Sequence, residues 1–181
     1  MMGGRFLINF LKNPFRNASV VPSSRHAASK MLDGIDFGSV RYVVELGPGT
    51  GVFTQEILNR VHSDAEVLAI ELEESYVEEL ESLENCQFEV IQGSACGLRG
   101  LVQEKGWPRV DLVISSLPFV LPVDVKEKLF TYLQECTQEG TTLRWFTYMP
   151  ALMKPHYRGF GFELHGFVPR NFPPMWIYTV N

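Results

Sequence analysis

Three glycines, each separated by one residue, follow a short apolar run in Val43-Val44-Glu45-Leu46-Gly47-Pro48-Gly49-Thr50-Gly51. β-branched residues running into alternate glycines read as a buried strand that turns tightly into a helix over residues 52–61. Glycine tolerates positive φ at such a reversal and, lacking a Cβ, lets a ligand approach the backbone closely. A turn of this kind after the first strand of an α/β unit is a nucleotide-binding site by default. The spacing lacks both the Gly-x-Gly-x-x-Gly pattern and the Lys-Ser/Thr pair of phosphate-binding loops. Glu45, at its entry, would repel a pyrophosphate. A cationic adenosine ligand suits the turn better. A second acid, Glu71, closes the next strand, Val67-Leu68-Ala69-Ile70-Glu71, about 20 residues past the turn, where a carboxylate accepts hydrogen bonds from ribose hydroxyls.

These residues need a frame that brings both strand ends to one edge. Residues 88–92, 110–115 and 142–148 read as further strands, and 73–84 and 123–138 as helices. Residues 162–168 and 175–180 read as a terminal hairpin joined through Pro169-Arg170-Asn171-Phe172-Pro173-Pro174. Upstream, Pro22-Ser23-Ser24 is a helix-start signal, with a serine to cap free N–H groups and the helix running to about residue 33. Strand–helix alternation predicts a single α/β sandwich around a mostly parallel seven-stranded sheet with an antiparallel terminal strand.

The pattern Glu45-x-Gly47-x-Gly49-x-Gly51 resembles motif I of the class I S-adenosylmethionine-dependent methyltransferases. The resemblance implies a glycine turn under the methionine and ribose of that cofactor, and Glu71 as the ribose acid. It implies strand order 3-2-1-4-5-7-6 and places Ser94 and Ala95 beside the adenine. The family usually has Asp at the position of Ser94, so the base contact there falls to the serine hydroxyl or to backbone N–H groups. Ser115, at the end of strand four, would face the methyl group. The following Ser116-Leu117-Pro118-Phe119 is similar to the Asn-Leu-Pro-Tyr motif of ribosomal RNA adenine dimethyltransferases, with Ser116 in place of the amide and Phe119 in place of the tyrosine. A ring beside the acceptor amine favours a developing ammonium by cation–π attraction.

A sharper resemblance spans nearly the whole chain. Lys12-Asn13-Pro14 ahead of the Pro22-Ser23-Ser24 helix, small residues before Leu117-Pro118, and the Arg170-Asn171-x-Pro173-Pro174 connection are similar to the bacterial phospholipid N-methyltransferases. This implies methyl transfer to the head-group amine of phosphatidylethanolamine or a related amino lipid. Alignment and proximity would supply most of the rate. Ser116 and Phe119 would flank the amine, while its proton would leave to water or to Tyr148. Arg170 could hold a lipid phosphate through paired N–H donors, and Arg25 is a second candidate for the head group. For both arginines a plain surface position is the alternative.

Charge distribution bears on partners. The 181 residues carry a formal charge of −5. Residues 1–30 hold five basic side chains and no acid, residues 31–140 seven basic and twenty acidic, and residues 141–181 four basic and one acidic. An acidic body argues against broad nucleic-acid binding. On a helical wheel, Phe6, Leu7, Ile8, Phe10, Leu11, Pro14 and Phe15 share one arc, opposite Arg5, Asn9, Lys12, Asn13 and Arg16. Residues 1–16 therefore read as an amphipathic membrane-interface helix drawn to anionic lipids, ahead of a methyltransferase domain over 17–181. A helix packed on the protein's own core or on a partner is the alternative. Cys86, Cys96 and Cys136 are odd in number and lack metal-site spacing, which points to a reducing compartment and no metal. The expected location is cytoplasmic, peripheral on the inner face of the membrane. An RNA adenine dimethyltransferase fits less well, since those enzymes are basic and carry a further C-terminal domain. A non-catalytic membrane scaffold with a vestigial cofactor fold is the remaining alternative.

Overall fold

The computed structural model describes residues 24–181. The amphipathic segment 5–16 and its membrane reading lie outside the described residues. Helix α1 (Arg25–Met31) starts where the Ser24 hydroxyl accepts the Ala27 N–H at 3.2 Å. Strand β1 (Tyr42–Leu46) then leads through the glycine turn into α2 (Val52–Leu58). Next come β2 (Glu66–Glu71), α3 (Glu74–Glu81), β3 (Phe88–Gln92), a 3-10 turn (Ala95–Gly97) and α4 (Leu98–Glu104). Strand β4 (Leu112–Ser115), α5 (Val123–Gln138), β5 (Thr142–Thr147), α6 (Pro150–Met153) and a second 3-10 turn (Lys154–Tyr157) follow. The hairpin β6 (Glu163–Val168) and β7 (Met175–Val180) ends the chain.

The seven strands form one sheet in the order β3-β2-β1-β4-β5-β7-β6. The first five in that order run parallel, and β7 is antiparallel to both β5 and β6. This is the expected sandwich and strand order. Because the chain leaves β1 toward β2 and β3 and returns to β4 on its other side, the order reverses between β1 and β4. A crevice opens there at the strands' C-terminal ends. Leu46 is level with Ile70 on one side and with Ser115 on the other, which brings all three strand ends to that crevice.

Both faces of the central strands are covered, so β1, β2 and β4 are mostly buried and apolar. Val44, Leu46, Leu68, Ile70, Val113 and Trp145 pack on one face with α4 and α5. Val43, Val67, Leu112 and Ile114 pack on the other with Ala27 and Met31 of α1 and Phe53 and Ile57 of α2. Buried Arg144 fastens α1 to the sheet by donating to the carbonyls of Met31 and Asp33 at 2.8 and 2.7 Å. Trp145 stacks on Tyr157 with ring centroids 4.5 Å apart, and its indole N–H points at Met153 Sδ. The segment after β5 is thereby locked against the same core that floors the crevice.

Candidate active site

The glycine turn is built on left-handed backbone: Gly47, Gly49 and Gly51 have φ of +69°, +56° and +74°. A Cβ on Gly49 would meet nothing within 4 Å, so the backbone there is open to a ligand. Gly51 is different. It caps α2, and a Cβ there would lie 2.8 Å from Leu80 Cδ2 of α3. Gly51→Ala therefore combines a left-handed penalty of about 1–2 kcal/mol with displacement of a buried leucine. It should lower the melting temperature measurably, and thermal denaturation beside the native chain checks this.

Glu71 ends β2 with 6% of its surface exposed. Its Oε2 accepts the Gly49 N–H at 3.0 Å, and Oε1 accepts the N–H groups of Leu72 and Glu73 at 2.7 and 3.0 Å. The acid thus braces the glycine turn as well as facing the cleft. A carboxylate accepts about four hydrogen bonds, so capacity for a hydroxyl remains.

Gly47, Gly49, Glu71, Ser94, Ala95 and Ser116 line one cleft of about 430 Å³, together with Leu72, Glu73, Tyr76, Leu117, Pro118, Leu121 and Val125. Among the described residues, two carboxylates and no basic side chain line it. The Ser116 hydroxyl is buried and has no hydrogen-bond partner among the described residues. A smaller cleft of about 270 Å³ sits at the opposite ends of the strands, walled by Val40, Asp111, Thr142 and Arg144, far from the glycine turn. Ligands of such sheets bind at the strands' C-terminal ends, which singles out the larger cleft.

Other expected site residues fall elsewhere. Gly51 and buried Ser115 do not line the cleft. Tyr148 follows β5 but packs its ring on Phe146, 5.5 Å between centroids, beside the Phe53 side of the sheet. Arg25 and Arg170 are exposed at a separate corner, where the Ser24 N–H donates to Asn171 Oδ1 at 3.3 Å. Phe119 packs beside the cleft wall, with His156 against its ring. His156 carried no sequence signal, since nothing in the spacing links it to Phe119.

Glu45 needs a correction. It is wholly buried and faces α2, where Thr54 Oγ1 donates to its Oε2 at 2.6 Å and Oε1 has no partner among the described residues. Burial pushes its pKa up to about 8, the Thr54 hydrogen bond opposing and the nearby Glu71 charge adding to the rise. In the free chain at neutral pH it is a neutral acid behind the cleft. The exclusion of a pyrophosphate therefore rests on Glu71 and Glu73.

An ornithine lipid N-methyltransferase of Singulisphaera acidiphila is 32% identical over 177 residues, covering 96% of this chain and 92% of that protein. The chain belongs to this family of bacterial lipid N-methyltransferases. Its cofactor is S-adenosylmethionine, and it is an N-methyltransferase of class I. A probable ribosomal RNA small subunit methyltransferase A of Methanospirillum hungatei is 29% identical over 101 residues, 56% of this chain but 37% of that protein. A solved S-adenosylmethionine-dependent methyltransferase from Aquifex aeolicus shares the fold at 15% identity, with a TM-score of 0.54 and coverage of 99% and 98% of the two chains. No family model matches the chain. Among the described residues, no helix is long and apolar enough to cross a membrane, and no group of three or more metal-ligating side chains occurs.

The cleft of this methyltransferase fits its cofactor on three counts. Its backbone is open at Gly49, the charged side chains lining it among the described residues are acidic, which suits a sulfonium, and the Ser116 hydroxyl has no partner among those residues.

Proposed function

We propose that this enzyme methylates the primary amine of a lipid head group, that of phosphatidylethanolamine or a related amino lipid such as ornithine lipid, at a membrane surface. The observation that carries this reading is the acidic cleft running from the glycine turn to Ser116-Leu117-Pro118, in a chain whose relative is named for ornithine lipid. When bound, S-adenosylmethionine supplies an electrophilic methyl group on a sulfonium. On this reading Gly47, Gly49 and Gly51 shape its cradle and Glu71 holds the ribose. Ser94 and Ala95 border the base, and Glu45 and Ser115 support the wall from behind. Ser116 offers its hydroxyl to the acceptor amine, and Phe119 adds a ring at the same end. The amine must be neutral to attack. Its proton leaves to water at the cleft mouth, since the Tyr148 ring lies with Phe146 on the Phe53 side of the sheet.

The membrane part of the proposal rests on one corner of the molecule. Arg25 and Arg170 flank the Ser24–Asn171 hydrogen bond, and Phe172 beside them is 73% exposed. Residues 1–16 precede α1 in the sequence and add Arg5, Lys12, Arg16, Phe6, Phe10 and Phe15 to the chain's inventory of cations and rings. Such a combination suits an interface between water and anionic lipid.

Radiolabelled S-adenosylmethionine, incubated with the enzyme and vesicles with or without phosphatidylethanolamine or ornithine lipid, should label the lipid fraction. Removing residues 1–16 should abolish vesicle labelling while leaving cofactor affinity unchanged. Label in an RNA control, or none in lipid despite cofactor binding, would overturn the reading.

A further inference from the structure

At the acceptor end of the cleft, three side chains from distant parts of the chain meet. Phe119 follows the cleft-lining Pro118, and Lys126 follows the cleft-lining Val125 on α5. His156 arrives from the 3-10 turn Lys154–Tyr157, held in place by the stack of Tyr157 on Trp145. The imidazole lies 5.4 Å from the Phe119 ring, centroid to centroid, and Lys126 Nζ is 3.4 Å from His156 Nδ1. Lys126 also sits over the Phe130 ring, 5.3 Å from its centroid.

Two basic groups so close cannot both stay charged without cost. Burial and then the Lys126 charge hold His156 below the ordinary histidine pKa, so the ring is neutral at pH 7. A lysine ammonium is a donor only, so His156 Nδ1 must accept from it and the ring proton sits on Nε2. The pair therefore presents donors only, next to the cleft-lining Val125 and to Phe119, which follows the cleft-lining Pro118. Neither side chain forms an ion pair with a carboxylate among the described residues. Donors without an acid, beside a cleft whose charged lining is acidic, are placed for an oxyanion.

We propose that Lys126 and the His156 Nε2–H bind the anionic group that accompanies the acceptor amine in the lipid head group. The assignment rests on the reading of an amino-lipid acceptor. In an ethanolamine lipid that anion is the phosphate diester, and in an ornithine lipid the carboxylate. Either lies a few bonds from the amine, so anchoring it fixes where the nitrogen can reach. The subsite then selects zwitterionic head groups over plain amines.

Lys126→Met should raise KM for phosphatidylethanolamine or ornithine lipid vesicles by about ten- to a hundredfold, the usual worth of a charged hydrogen bond. kcat and S-adenosylmethionine affinity should stay near native. Activity on a long-chain alkylamine, which has no anion, should be unchanged. His156→Gln, which keeps a donor near the Nε2 position, should lose less than His156→Leu. An equal loss on the alkylamine, or a matching loss of cofactor affinity, would overturn the subsite. A second readout needs no turnover. Of the four histidines, His156 alone should shift saturably in the NMR spectrum on adding phosphoethanolamine or free ornithine, and Lys126→Met should remove the shift. The compound that shifts it names the anion. No shift with either sinks the subsite even where lipid is methylated. A shift without lipid labelling sinks the lipid reading and leaves the subsite standing.

Discussion

Replacing Glu71 by alanine should remove the cofactor site, with the dissociation constant for S-adenosylmethionine rising by at least about a hundredfold. The side chain has two tasks. Its carboxylate accepts from the Gly49, Leu72 and Glu73 N–H groups, and so sets the shape of the glycine turn from the end of the neighbouring strand β2. Each hydrogen bond to a charged acceptor contributes about 1.5–3 kcal/mol, and at 6% exposure water replaces them only in part. The proposed ribose contacts would be lost as well. Glu71→Gln separates the tasks, since its carbonyl oxygen can still accept while the charge is gone; an intermediate affinity is expected. Titration calorimetry with the cofactor and with an analogue lacking the ribose hydroxyls completes the test. If Glu71 holds the ribose, the penalties of variant and analogue will not add. Full additivity leaves the acid a brace for the loop. Native affinity in Glu71→Ala would refute the site altogether.

Glu71 and the three glycines were readable from the sequence because their chemistry depends on local spacing. A strand, a turn needing positive φ and an acid one strand later are neighbours along the chain as well as in space. The parallel sheet was readable for a similar reason, since strands such as Val67–Glu71 alternate with helical segments. Two elements were not. Helix α4 follows Gly97 and contains Gly100, and the segment 150–157 contains Pro150 and Pro155, so neither carries a helical pattern. Both are short and held by packing, the second by Trp145 and Met153. With it went His156, whose partners Phe119 and Lys126 are fixed only by that packing. The face taken by Glu45 was hidden for another reason. Val43-Val44-Glu45-Leu46 is buried on both sides, so no polar alternation marks which residues look toward the cleft. The face taken by Tyr148 was hidden in the same way. It ends the expected strand, and its ring takes the sheet face opposite Trp145.

The buried acid has a measurable consequence of its own. Glu45→Gln should make the cofactor-free protein more stable at pH 8 while changing little near pH 4. Burial holds the native carboxyl protonated up to about pH 8, whereas the unfolded chain loses that proton near its ordinary value of 4.5. Between these limits the native state binds more protons than the unfolded state, so stability falls as pH rises and levels off above pH 8. Each unit of difference corresponds to about 1.4 kcal/mol, which puts the total on the order of 5 kcal/mol. Glutamine keeps an oxygen for the Thr54 hydroxyl and carries no charge to bury. At roughly 2–4 °C per kcal/mol for a chain of this size, the variant should melt about 10 °C above the native protein at pH 8. The difference between the two melting curves, followed from pH 4 to 9, isolates this one group from all other titrations. Parallel curves would mean that Glu45 is ionised in the native fold. Its Oε1 would then need a partner that the described residues do not supply.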